Sequence, residues 1–256
     1  MTCADRIHWT SAARTHVGLV REINEDASLE RPQRGLWAVA DGMGGHDAGD
    51  LASRMVIAAV DGISPCTSLA SFVAEARQRL QAVNHQLRLE AASRHVHIIG
   101  STVVALLACE GSCTYLWAGD SRVYLYRDGR LRLLSHDHSQ IEELKLRGVL
   151  TAAEEAMHPG HNIITRAVGA LDHLELDEGT MAVADGDIFL LCSDGLSKPV
   201  SEEDICSALA AGDCDYAVDT LIELALKGGG RDNITAVVVR AEDPYASDLT
   251  LVNPAL

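Results

Sequence analysis

The chain has 256 residues, with 21 Lys and Arg against 37 Asp and Glu, a formal net charge of −16. At 47% hydrophobic and 23% charged residues it has an ordinary globular composition, enough for one large domain or two small ones. This excludes disorder, and the acidity argues against a nucleic-acid partner, because a phosphate backbone is repelled. No apolar stretch approaches the roughly 20 residues that span a membrane. The segment Met1 to Arg6 lacks the basic start and apolar run of a signal peptide. A cytoplasmic protein without membrane contact is expected. The seven cysteines contain no C-x-x-C pair, and Cys192 sits inside an apolar run, so they are read as reduced core thiols rather than a disulfide framework or a zinc site.

In chain order, Ile7 to Arg14 and Gly35 to Ala40 have the character of strands. Helical periodicity follows from Gly49 to Asp61. A longer helix is predicted from Ser68 to Arg94, with apolar residues at three- and four-residue spacing and a charged back, so it covers a sheet. Strands are predicted at Ser101 to Ala108, Thr114 to Ala118, Arg122 to Arg127 and Leu131 to Ser135, the last two joined by the turn pair Asp128-Gly129. Residues 137–160 break this rhythm. They hold a short helix from Gln140 to Arg147 and a capping box at Thr151 and Glu154. Strands resume at Asn162 to Ala167 and Asp187 to Ser193. Helices from Glu202 to Ala211 and Tyr216 to Lys227 follow, and Asn233 to Arg240 closes as a strand. Strands joined by turns imply antiparallel sheets, with the helices in an early and a late group. An α+β sandwich is expected: two sheets face to face with helices on both outer faces, in one domain over 1–242. Residues 243–256, with two prolines, form a tail.

The informative pattern is acidic residues at strand ends. Leu36 to Ala40 runs into Asp41-Gly42, Tyr115 to Ala118 runs through Gly119 into Asp120, and Ile188 to Ser193 runs into Asp194-Gly195. Asp232 precedes the last strand, and Glu25-Asp26 follows Arg21. A single Asp-Gly after a strand is usually a turn. Four such Asp residues on separate strands can meet at one sheet edge, where like charges repel unless protonated or neutralised by cations. An all-oxygen ligand set suits Mg²⁺ or Mn²⁺ rather than zinc. Arg21 adds a planar fork for a phosphate that the carboxylates alone would repel. Divalent ions, carboxylates and one Arg describe metal-assisted hydrolysis of a phosphate ester.

Six segments carry a family resemblance: Arg21 to Asp26, Val39 to His46, Ala118 to Arg122, Thr165 to Gly169, Ser193 to Leu196, and Arg231 to Asn233. Their order resembles that of the metal-dependent, type-2C class of serine/threonine protein phosphatases, and Asp-Gly-Met-Gly-Gly-His resembles the bacterial members. The resemblance runs from about Val17 to Val239. It implies a four-layer α-β-β-α sandwich and two Mn²⁺ or Mg²⁺ ions, with Asp41 bridging them. The Gly42 carbonyl joins one ion, and Asp194 and Asp232 hold the other. It further implies Glu25 and Asp26 nearby, partly acting through water, Asp120 with Asp194 at a third, weaker ion, and residues 137–160 as a mobile flap. The activity implied is hydrolysis of phosphoserine and phosphothreonine in proteins by a metal-activated water, countering a Ser/Thr kinase.

Other signals read as structural. His95 and His97, and His136 and His138, have no third ligand in step and are read as exposed or loop histidines. Met43, Met55 and Met157 are packing residues, and Gly228-Gly229-Gly230 is a helix stop. His158-Pro159 ends the flap and is a candidate for a substrate-side role. His46 departs from eukaryotic relatives, which place a His two residues after the bridging Asp, where this chain has Met43. His46 is therefore a candidate general acid, with ordering of the metal loop as the alternative role. Two rival functions are a catalytically silent phosphoprotein-binding module, which would be expected to lose metal ligands, and a metal-dependent nuclease, which the negative charge disfavours.

Overall fold

The computed structural model describes residues 7–44, 48–148 and 163–244. Among these are eleven strands: β1 (His8–His16), β2 (Asp26–Arg31), β3 (Leu36–Met43), β4 (Gly100–Ser101), β5 (Val103–Cys109), β6 (Ser112–Ala118), β7 (Arg122–Arg127), β8 (Arg130–Leu133), β9 (Asp177–Ala182), β10 (Ile188–Cys192) and β11 (Ile234–Glu242). The helices are α1 (Ala48–Asp61), α2 (Leu69–Arg94), α3 (Gln140–Leu146), α4 (Asp194–Ser197), α5 (Glu202–Ala210) and α6 (Cys214–Lys227).

The strands form two antiparallel sheets. One has the order β1-β11-β10-β7-β8, and the other β2-β3-β5-β6-β9 with β4 pairing to β3. Alternation along β3 shows how the layers arise. Leu36, Ala38 and Ala40 face the helices α1 and α2, while Trp37 and Val39 face the second sheet. There they meet Phe189, Leu191, Val237 and Val239 in the inter-sheet core. On the far face, Leu190, Cys192, Ala236 and Val238 pack under Leu209, Val218 and Leu221 of α5 and α6. The expected four-layer sandwich is the observed fold.

Local signals set the element ends. The Ser68 side chain accepts from the Ser71 N–H to open α2, and Ser201 does the same for Asp204 at α5. Asp128 and Gly129 have φ of 51° and 73°, both left-handed, as the two-residue β7–β8 hairpin requires. β11 is long because it is shared by β1 and β10 and buried on both faces.

Several expectations need correction. The described part of Asn162 to Ala167, residues 163–167, is not a strand: Ile164 makes an isolated bridge to Ser139, and Val168 just beyond it bridges Ser101. The cysteines are not all reduced, since Cys66 and Cys109 form a disulfide that ties the α1–α2 connection to the end of β5. Cys113, Cys192, Cys206 and Cys214 are free thiols. The capping box at Thr151, His158, most of the flap after Gly148, and the tail from Tyr245 lie outside the described residues.

Candidate active site

The sandwich brings the predicted carboxylates together at one end. Asp41 lies inside β3 rather than after it, because the strand continues to Met43 by pairing Gly42 with Ser101 and Met43 with Gly100. Asp120 follows β6, Asp194 opens α4 directly after β10, and Asp232 precedes β11. Asp26 opens β2 directly opposite Asp41. The charges of Asp26, Asp194, Asp120 and Asp232 all act on Asp41, which burial first and these neighbours second hold well above the ordinary carboxylate range. Burial pushes Asp26 up to about 7 and Asp120 up to about 6, each with an added push from Asp194.

Backbone contacts hold Asp41 in place. Its N–H donates to Thr102 Oγ1 at 2.9 Å, while its carbonyl accepts from the Thr102 N–H at 2.8 Å and from Ser101 Oγ at 3.0 Å. Ser101 in turn exchanges backbone hydrogen bonds with Val168, so the Thr165 to Gly169 motif braces the metal strand from behind. Gly42 is required by close approach, since a Cβ there would lie 1.9 Å from the Gly49 carbonyl oxygen at the start of α1. The Glu25 carboxylate sits at this same helix start, and a backbone hydrogen bond with Gly49 works against the burial that raises it.

Arg21 reaches in from the loop between β1 and β2, with Nη2 2.8 Å from Asp232 Oδ2. Asn233 fixes that loop. Its Oδ1 accepts from the Glu25 N–H at 2.8 Å, and its Nδ2 donates to the carbonyls of Val17 and Ile23, both at 2.9 Å. Below the carboxylates, Ser193 Oγ donates to Asp26 Oδ2 at 2.7 Å and accepts from the Thr235 N–H.

Residues 18–212 match the family described as Protein phosphatase 2C. This chain belongs to that family. It is 39% identical over 239 residues to the serine/threonine protein phosphatase PstP of Mycobacterium tuberculosis, covering 91% of this chain and 45% of the relative, so it spans about half of that protein's length. It is 35% identical to the protein phosphatase PhpP of Streptococcus pneumoniae, covering 91% of this chain and 97% of the relative. Among solved structures, PppA, a key regulatory component of T6SS in Pseudomonas aeruginosa, superimposes with a TM-score of 0.86 at 45% identity over 91% of this chain and 98% of that one. The catalytic domain of PstP in complex with two manganese ions gives 0.81 at 38% identity over 93% and 100%. The phosphatase fold and the metal-dependent Ser/Thr phosphatase class of this domain follow from that membership.

The donor set of this phosphatase fits hard divalent cations. Asp26 Oδ1 and Asp194 Oδ1 are buried acceptors without a protein hydrogen-bond partner, which a folded protein tolerates where another ligand meets them. Every donor gathered at the cluster is an oxygen, the set that Mn²⁺ and Mg²⁺ prefer. Of the sequence-predicted site residues, Arg21, Glu25, Asp26, Asp41, Gly42, Asp120, Asp194 and Asp232 assemble at this end. His46 lies outside the described residues.

Sequence reasoning missed Thr102 and Lys198, whose residue types carry no signal, and it gave Ser193 and Asn233, both inside recognised motifs, no role. His136 and His138 lie in the loop between β8 and α3, as read, but His138 is buried and the pair does have a third group beside it. His136, His138 and Asp177 bring ligand atoms within 4.8 Å of one another. Their hydrogen bonding opposes a metal. The Gly119 N–H donates to His138 Nδ1 at 3.2 Å, so the ring proton sits on Nε2, which meets Asp177 Oδ2 at 3.1 Å. Freeing Nε2 for a metal would put a proton on Nδ1, facing the Gly119 N–H. Arg166 already holds the other Asp177 oxygen at 2.9 Å. The cluster is a strut that carries Gly119 and hence Asp120.

Proposed function

We propose that this phosphatase hydrolyses phosphoserine and phosphothreonine esters in proteins, with two Mn²⁺ or Mg²⁺ ions held by Asp41, the Gly42 carbonyl, Asp194 and Asp232. Asp120 and Asp194 are the pair that would hold a weaker third ion. The observation that carries this reading is the gathering of Asp26, Asp41, Asp120, Asp194 and Asp232 at one end of the sandwich, with Asp26 Oδ1 and Asp194 Oδ1 buried and unpartnered, a concentration of negative charge that cations relieve. Bound there, the ions supply the Lewis acid that activates water and neutralises the transferring phosphoryl group.

The chain's own residues do the rest. Arg21 stands beside the carboxylates with a fork that can orient a phosphate bidentately. Asp26 and Glu25 act around the ligands, Asp26 anchored by Ser193 and Glu25 by its loop. His46 is proposed as the acid that protonates the leaving serine or threonine oxygen. Residues 1–242 form one phosphatase domain, 137–160 are its flap beside the substrate, and 243–256 are a tail. The substrates are phosphoproteins made by a cognate Ser/Thr kinase, and neither nucleic acid nor membrane is a partner. Among the described residues no helix is long and apolar enough to cross a membrane. A cytoplasmic location is supported by the four free thiols among the described residues, and the Cys66–Cys109 bond stands against it.

Steady-state hydrolysis of an aryl phosphate and of a phosphothreonine peptide, with and without Mn²⁺, tests the reading. Activity should vanish on chelation, and Asp194→Asn should lose at least about two orders of magnitude in kcat. Full turnover by metal-free enzyme, or near-normal turnover by Asp194→Asn, overturns it.

A further inference from the structure

Lys198 lies one helical turn after Asp194, and this spacing carries its ammonium back onto the carboxylate cluster. Nζ is 2.5 Å from Asp194 Oδ2 and 3.6 Å from Asp120 Oδ2. Those two acids leave strands of different sheets, and the ammonium sits where they meet. The Lys198 side chain is 41% exposed, against 16% for Asp194 and 10% for Asp120, so a partly solvated stem delivers its charged tip to two nearly buried carboxylates.

We propose that Lys198 is a tethered cation that stands in for the third divalent ion, so that this phosphatase works with two. The inference rests on the reading of Asp120 and Asp194 as the pair that would hold that third ion. A divalent cation shared by them would need oxygens from both at about 2.1 Å. The ammonium already takes Asp194 Oδ2 and lies within reach of Asp120 Oδ2, so an incoming ion meets a like charge at its own ligands. Asp194 divides its two oxygens: Oδ2 goes to Lys198, and the buried, unpartnered Oδ1 is left for the primary pair of ions.

A tethered charge is also present at a high effective concentration whatever the free metal concentration, unlike a weakly held ion.

The test is Mn²⁺ titration of the metal-stripped full chain, with heats read by calorimetry and free Mn²⁺ by electron paramagnetic resonance. Wild type should take up two ions. Lys198→Met, which keeps the stem and removes the charge, should take up a third, at least tenfold tighter than any third-ion binding by wild type. Lys198→Arg should return to two. Asp120→Asn in the Lys198→Met background should abolish the gained ion. Three ions on wild type, or two with unchanged affinities on Lys198→Met, overturn the proposal. A gained ion that survives Asp120→Asn overturns the assignment of its ligands. A wild type that takes up no Mn²⁺ overturns the metal-site reading beneath it, and so the two failures are told apart. Melting without metal gives a second readout: Lys198→Met should melt below wild type and gain more from Mn²⁺, with Lys198→Arg matching wild type. Equal Mn²⁺-induced shifts in all three overturn it.

Discussion

Asp26 and Asp41 stand directly opposite each other across the β2–β3 ladder. Like charges in that position repel, and Asp26 is also buried away from water. Burial pushes Asp26 up to about 7, and Asp41 is raised by burial and its four acidic neighbours. The same carboxyls in the unfolded chain release their protons near pH 4, roughly. Between those limits the folded chain holds more protons than the unfolded one, so stability falls as pH rises. Metal-free protein should therefore melt at a progressively lower temperature from pH 5 to pH 8, and Mn²⁺ should recover most of the loss at pH 8. Asp26→Asn should raise the metal-free melting temperature at pH 8. A melting temperature that rises over this range would show that the two acids are not held as described.

The Arg21 contact with Asp232 separates geometry from charge. Arg21→Lys keeps the cation and loses the fork, so KM for an aryl phosphate should rise several-fold while kcat falls less. Unchanged constants in Arg21→Ala would return Arg21 to the surface.

Asn233→Ala removes three hydrogen bonds that hold Val17, Ile23 and Glu25 around Arg21. Leaving those backbone groups unpaired should cost about 2–3 kcal/mol of stability. Because Arg21 is then poorly aimed, KM should rise as well, and the rise should shrink in an Arg21→Ala background. Full additivity of the two substitutions in KM would leave Asn233 with a structural role alone.

The sequence carries the site more legibly than it carries the fold's edges. Asp41, Asp120, Asp194 and Asp232 are readable because each ends or precedes an apolar run, and strand ends share an edge. The strands β2 and β9 are not readable. Asp26–Arg31 and Asp177–Ala182 lie at the ends of their sheet, so DASLER and DEGTMA need few apolar residues and show no hydrophobic run. The misread strand at Asn162 to Ala167 has the opposite cause. Ile163 and Ile164 suggest a strand, yet the chain there makes isolated bridges rather than a ladder, Ile164 to Ser139 and, just beyond, Val168 to Ser101. Lys198 and Thr102 stay hidden because their roles come from contacts across the fold, with no pattern in the residues beside them.

The Cys66–Cys109 bond closes a 43-residue separation. Loop entropy gives such a bond about 4 kcal/mol of stabilisation, near the upper end of the usual range. Cys66→Ser should therefore melt roughly 10 °C below oxidised wild type. A thiol reductant should bring wild type to the level of the variant and leave the variant unmoved. Cys66 lies in the α1–α2 connection and Cys109 ends β5, whereas Asp41 sits beside Thr102 at the start of that strand, so kcat should change little. Wild type that shows all seven thiols free before reduction would mean that the bond does not form in the isolated protein.

His46 is the proposed acid for the leaving group, and leaving-group dependence tests that role. An alkoxide from serine is a poor leaving group and gains from protonation, whereas nitrophenolate needs little help. If His46 is the acid, His46→Ala should slow phosphoserine peptides by roughly ten- to a thousandfold and an aryl phosphate far less. The effect should also steepen the dependence of rate on leaving-group pKa across a series of substituted phenyl phosphates. If His46 instead orders the loop that follows Asp41, peptide and aryl phosphate should lose activity together, and Mn²⁺ should bind more weakly. The two roles differ in a second measurement as well. Loss of an acid removes the alkaline limb of the kcat profile for peptides but leaves Mn²⁺ affinity untouched, whereas loss of loop order shifts Mn²⁺ affinity and keeps the shape of the profile. Equal losses on both substrates, with weakened Mn²⁺ binding, would take the acid role away from His46.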